Sequence, residues 1–189
     1  MHFDHDGIKL AYEDRGAGLP VVFLHAFPVN RSMWEPQVTA LSGRFRALTL
    51  DFRGHGESDA PLWNFSLDQY ADDVQALLDH LAIPKAVLVG LSMGGYVSLA
   101  FYRKFRGRVK GLVLADTRAQ ADTAEGRKGR FNLAQTAYVK GASAVADTML
   151  PKLLGSTSLQ TKPDLVEQVR RMIHSYGHGE PGRFGHSAE

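Results

Sequence analysis

The sequence predicts an α/β protein, a doubly wound and mostly parallel sheet followed by a helical cap segment. Three observations carry this expectation. Residues 20–24, 46–50, 86–89 and 109–115 are short, largely apolar runs, the pattern of strands covered on both faces. Between them lie segments whose apolar residues recur at helical spacing, and strands alternating with helices give parallel sheets. Beyond Thr117 the strand pattern stops and three helical stretches follow.

Taken in order, residues 8–14 alternate apolar and polar (Ile8, Leu10 and Tyr12 against Lys9 and Glu13) and read as edge strands that stop at Arg15-Gly16-Ala17-Gly18. Residues 20–24 form a buried strand running into His25-Ala26-Phe27-Pro28. Ser32-Met33-Trp34-Glu35 has capping-box spacing, with Trp34, Val38 and Leu41 on one face and Gly43 as the stop. The strand over 46–50 leads into Asp51-Phe52-Arg53-Gly54-His55-Gly56-Glu57-Ser58-Asp59. Ser66-Leu67-Asp68-Gln69 is a second capping box, and its helix turns Leu67, Tyr70, Val74, Leu77, Leu78 and Leu81 inward before Pro84. A strand over 86–89, a turn at Gly90-Leu91-Ser92-Met93-Gly94 and a helix carrying Tyr96, Val97, Leu99, Ala100, Phe101 and Phe105 make one unit. The strand at 109–115 closes at Asp116-Thr117. Residues 119–130 are small and polar, like a linker, and 131–138, 143–154 and 163–173 read as helices. The expected division is therefore a core over 1–117, a cap-like segment over 118–173 and an irregular tail over 174–189.

Composition narrows the function. A net charge of +2 is too mild to imply a nucleic-acid partner, and the basic residues 103–110 read as a solvated helix end. No apolar stretch approaches the roughly 20 residues of a membrane span, and the N-terminus lacks the pattern of a signal peptide. With no cysteine there is neither a disulfide nor thiol chemistry. A soluble, cytoplasmic protein is expected. The histidines have no metal-ligand spacing, and no cofactor is implied.

The chemistry points to position 92. In Gly90-x-Ser92-x-Gly94 the serine occupies a strained strand-to-helix turn, with glycines where side chains would collide. Its hydroxyl would stand above the sheet at the positive end of a helix.

Three ordered motifs, His25-Ala26-Phe27-Pro28, the Asp51–Ser58 segment and Gly90-Leu91-Ser92-Met93-Gly94-Gly95, together resemble the α/β-hydrolase fold. More narrowly they are similar to bacterial esterases and lactonases of the 3-oxoadipate enol-lactonase and aryl esterase type. The resemblance implies that Ser92 is the nucleophile and that the backbone N–H groups of Phe27 and Met93 form the oxyanion hole. It gives His25 a loop-bracing role, and Asp51 and Arg53 a structural one with backbone hydrogen bonds; His55 is expected solvated or bonded within its loop. Ala26 stands where most of the family has glycine. The strands that carry the family's acid and histidine have no counterpart, which reads as a C-terminal truncation. Candidates for the base are His186 in Phe184-Gly185-His186 and His178 in Tyr176-Gly177-His178, or the tail of a partner subunit; Asp116 is a candidate acid.

The expected activity is hydrolysis of small carboxylic esters or lactones through an acyl-enzyme. A carboxylate nucleophile, as in haloalkane dehalogenases, is absent from position 92. Two alternatives stay open: a non-catalytic fragment held folded by self-assembly, and a cofactor-free perhydrolase or haloperoxidase. With two strands missing, Val109–Ala115 would be an edge apolar on both faces. Such an edge predicts a homo-oligomer, joined there or by exchanged cap helices.

Overall fold

The computed structural model describes residues 1–61 and 65–175. Six strands form one sheet: β1 (His2–His5), β2 (Ile8–Arg15), β3 (Pro20–Leu24), β4 (Arg46–Leu50), β5 (Ala86–Leu91) and β6 (Val109–Ala115), in the order β1-β2-β4-β3-β5-β6. The four strands β3 to β6 pair in parallel, and β1 and β2 add antiparallel to the β4 side. The mostly parallel sheet is as expected. One edge differs, because β1 lies outside β2 and leaves β2 interior. Only Phe3 of β1 turns into the core, too short an alternation to read in the sequence.

Period-2 alternation sends side chains to two cores. On one face Val22, Leu24, Leu48, Leu50 and Leu88 meet helices α2 (Leu67–His80) and α3 (Met93–Phe105). On the other, Val21, Phe23, Ala47, Val87 and Val89 meet Trp34 and Val38 of α1 (Glu35–Leu41) and the 3-10 turn before it. The capping box at Ser66 forms both ways: Gln69 N–H donates to Ser66 Oγ (3.3 Å) and Ser66 N–H to Gln69 Oε1 (2.8 Å). Ser32 does not cap. Asn30 Oδ1 takes the Ser32 N–H at 2.9 Å and the Ser32 hydroxyl at 2.6 Å, so the start moves back to Asn30 and a 3-10 turn, Arg31–Trp34.

Helix α4 (Ala124–Leu153) starts inside the stretch expected as a linker, with the Thr123 hydroxyl accepting from Gly126 N–H, and breaks at Gly141 (φ 76°). Helices α5 (Ser156–Thr161) and α6 (Pro163–His174) follow. Ala137, Val145, Ala146, Met172 and Ile173 of α4 and α6 close a third core over Ala26 and Val29, the residues that follow β3. Among the described residues no strand follows β6, which stays at the sheet edge with Val113 50% and Leu114 44% exposed.

Candidate active site

The parallel register sets the frame. Leu24 of β3 lies opposite Gly90 of β5, so the chain leaves both strands at the same end of the sheet. There Ser92 adopts φ 50°, ψ −109° as the residue before α3, a left-handed conformation costing a serine about 1–3 kcal/mol. The glycines around it are required by space. A Cβ at Gly90 would lie 2.3 Å from the Gly94 carbonyl oxygen, and one at Gly94 would lie 2.1 Å from that of Leu24. The second contact also shows that the first turn of α3 rests directly on the end of β3.

Main-chain bonds hold the bend. Ser92 N–H donates to the Ala115 carbonyl at 3.0 Å, and the Ser92 carbonyl accepts from Gly95 N–H at 2.9 Å and Thr117 Oγ1 at 2.8 Å. Thr117 fills the space of a Gly95 side chain, 2.5 Å from where its Cβ would be. The sequence offered one signal of this clamp, the extra glycine after Gly94. The Ser92 side chain itself is half-buried and caps nothing.

Phe27 and Met93 each lie three residues beyond the paired Leu24 and Gly90, on the two segments that touch. Phe27 is half-buried with its ring edge-on to His55, and Met93 opens α3. The loop between them and the core is tightly tied. His25 is fully buried; Nδ1–H donates to the Ala26 carbonyl (2.9 Å) and Nε2 accepts from Phe52 N–H (3.1 Å). Both nitrogens are thus occupied by backbone, the bracing role expected. The Ala26 N–H meets Met33 Sδ at 3.4 Å and its methyl packs into the third core.

The Asp51–Ser58 segment is a second brace. The Asp51 carboxylate accepts from the backbone N–H groups of Arg31 (2.7 Å) and Glu57 (3.0 Å) and from the Arg31 guanidinium. A Cβ at Gly56 would overlap that carboxylate, at 2.2 Å from an oxygen. Arg53 departs from expectation. It forms a two-pronged, fully buried pair with Asp73 of α2, because a guanidinium out of water needs a charged partner, and backbone carbonyls alone would not neutralise it. His55 is not solvated: it is buried, with Nδ1–H on the Arg53 carbonyl at 3.2 Å.

Burial lowers the pKa of His25 and pushes that of His55 well down, with His25 adding repulsion at His55. The folded chain therefore declines protons that the unfolded chain takes up below about pH 6.5. Neither histidine affects stability above that pH; below it, down to each folded pKa, each removes about 1.4 kcal/mol per pH unit. The urea midpoint should fall between pH 7.5 and 5.5, while in NMR the His55 ring signals stay unshifted and those of His25 titrate below the usual histidine range. Normal titration of all ring signals would contradict the arrangement.

The candidate acid, Asp116, follows β6 with φ 41° and is exposed, without a hydrogen bond to the described residues. The candidate bases His178 and His186 lie outside the described residues. Of the described histidines, His2 is exposed at the start of β1, and His5, His25, His55, His80 and His174 face Asp73, Phe52, Arg53, Tyr12 and Ser143, so the structure brings none of them onto the Ser92 hydroxyl. One cap contact was not anticipated. Arg130 of α4 lies over the Tyr96 ring (5.7 Å), one turn after Ser92, and pairs with Asp122, which also holds Arg118. Chiefly through the Arg130 bond, the Asp122 carboxyl is lowered to about 2. Among the described residues no group of side chains could hold a metal ion, and no helix is long and apolar enough to cross a membrane.

A strained serine between two close glycines, beside a braced loop at the same end of a mostly parallel sheet, defines an α/β-hydrolase-type site. The chain belongs to the alpha/beta hydrolase fold family, whose model matches residues 20–181. Among solved structures it is similar to a thermophilic esterase from Thermogutta terrifontis, with 41% identity and a TM-score of 0.86 over 93% of this chain and 65% of that one. Among curated relatives it is 31% identical to 3-oxoadipate enol-lactonase 2 of Acinetobacter baylyi, over 79% of this chain and 55% of the relative. It is also 41% identical to the non-heme chloroperoxidase CPO-A1 of Kitasatospora aureofaciens, over 58% of this chain and 40% of the relative. The chain thus spans about half the length of the curated relatives it matches.

Proposed function

We propose that the protein is a serine hydrolase of small carboxylic esters or lactones, with Ser92 as nucleophile. The observation that carries this reading is the strained backbone of Ser92, held by Ala115 and Thr117 while its hydroxyl caps nothing. Such strain persists where function uses it. In the proposed reaction Ser92 Oγ attacks the carbonyl carbon and loses its proton to a base. The oxygen takes the negative charge between the N–H groups of Phe27 and Met93. The tetrahedral intermediate collapses to an acyl-serine as the alkoxide leaves with a proton, and water repeats the cycle on the acyl group to release the acid. The base is assigned to His186 or His178 and the acid to Asp116; no cofactor enters. The apolar residues under the cap, among them Leu91, Met33 and Met172, favour small, uncharged acyl groups.

A fluorophosphonate probe should label the folded chain once, and Ser92→Ala should abolish the adduct in mass spectrometry. An unlabelled, folded wild-type chain would overturn the proposal and favour a non-catalytic fragment. If ester hydrolysis is measured, replacing His178, His186 and Asp116 singly assigns the remaining roles.

A second reading draws on the likeness to the chloroperoxidase. The same acyl-serine attacked by hydrogen peroxide in place of water would give a peracid, with the peroxide proton passing to the base. Peracid formation from peroxide and an ester, lost in Ser92→Ala, tests it.

A further inference from the structure

The loop that carries Phe27 is held from two sides. From the core, the buried His25 ties it to Phe52. From the cap, the last turn of α6 reaches it at two points. The Ala26 methyl, 3% exposed, shares its core with Met172 and Ile173 and belongs to neither of the other two cores. Further on, Asn30 Nδ2–H donates to Ser175 Oγ at 2.8 Å, and the Ser175 hydroxyl donates to the Met172 carbonyl at 2.7 Å. The segment is also stitched to itself. Val29 N–H donates to the Ala26 carbonyl (3.2 Å), Met33 N–H donates to that of Asn30 (3.2 Å), and Ala26 N–H meets Met33 Sδ. Phe27 lies between the two points that α6 holds, so moving either of them moves Phe27.

We infer that Ala26 and Ser175 are positioning residues through which α6 sets the seat of the Phe27 N–H. The catalytic part of this inference rests on the reading of Ser92 and Phe27 given above; the mechanical part does not. The backbone at Ala26 is not left-handed, so a side chain there carries no strain and the position does not demand glycine. The methyl gives the cap something to pack against, and close-packed interiors transmit small displacements. A glycine would keep the course of the loop but leave a gap in the third core and free the backbone. Oxyanion donors act by being fixed in advance within about 3 Å of the developing charge. A looser seat therefore slows bond formation at Ser92 more than it weakens binding of the reagent. Lifting α6 from the loop would release both contacts at once, so the donor is in place only while the cap is seated.

Ala26→Gly removes the apolar contact and Ser175→Ala the polar one. Arg170→Ala, which breaks the exposed pair of α6 with Asp147, is the control. In hydrogen exchange followed by NMR, the Val29 and Met33 amides should open roughly fivefold more often in both variants, the loss expected of one ordinary hydrogen bond. The comparison is with the amides of β5, which report the whole fold, and the control should match the wild type. In fluorophosphonate labelling over a range of probe concentrations, the maximal rate should fall roughly fivefold in both variants while the half-saturating concentration stays within about twofold. A role confined to stability would lower the urea midpoint and leave that maximal rate alone. Ser175 is only half-buried, so Ser175→Ala keeps the test open if Ala26→Gly fails to fold. Val29 and Met33 exchange at the wild-type rate in Ser175→Ala overturns the proposal. Faster exchange with an unchanged maximal labelling rate overturns the positioning role. In a wild-type chain that takes no probe, the hydrolase reading fails by itself. Faster exchange in the variants then still supports the hold of α6 on the loop, and unchanged exchange overturns it.

Discussion

Asp73→Ala is expected to cost about 3–5 kcal/mol, the loss typical of leaving one buried charge of a pair without its partner. Arg53 and Asp73 are 1% and 0% exposed, so the stranded guanidinium cannot reach water without opening the loop between β4 and α2. That loop also carries Phe52, whose N–H fixes His25. The damage should therefore reach Phe27 as well as global stability. Chemical denaturation of Asp73→Ala against a double variant, Arg53→Met with Asp73→Leu, checks the cause. The double variant should recover much of the loss, because replacing both charges with apolar groups removes the unpaired one. Equal instability of the two would show that packing, and not charge, is responsible.

Gly94→Ala is expected to be the second severe change. The added methyl would lie 2.1 Å from the Leu24 carbonyl oxygen and 3.0 Å from that of His25, and neither is a flexible side-chain end. Overpacking of this kind costs about 1–3 kcal/mol, and more where backbone must move. In a domain of this size that lowers Tm by roughly 2–4 °C per kcal/mol. Since α3 must shift from β3, fluorophosphonate labelling of Ser92 should fall with it. Gly129→Ala is the matched control: it lies within α4 with open space around its Cβ position, and should raise stability by about 0.5–1 kcal/mol. A Gly94→Ala protein that melts and labels like the wild type would refute the close-approach argument.

Local signals accounted for the strands β3 to β6, for α2 with its cap and for the bend at Ser92, because each is written in a run of a few adjacent residues. Ser32-Met33-Trp34-Glu35 has the spacing of a capping box, but Asn30 takes the Ser32 N–H and opens a 3-10 turn ahead of α1 instead. Helix α4 begins at Ala124 amid exposed, small polar residues, where the Thr123 hydroxyl caps Gly126 N–H and no apolar spacing marks the start. The pair Arg53–Asp73 and the clamp of Thr117 on Ser92 join residues 20 and 25 positions apart. Such contacts depend on how elements pack, and nothing in either local segment announces its partner. The braced His25 was legible through the motif it belongs to, whereas the burial of His55 was decided by Phe27 and Tyr70 closing over it.

The bend at residue 92 is tethered wholly by amide and carbonyl groups and by a threonine two residues beyond β6. The serine hydroxyl takes no share in that tethering. The position is therefore modular: chemistry can be exchanged there while the framework keeps its shape, so a variant altered at this one atom reports on reactivity alone.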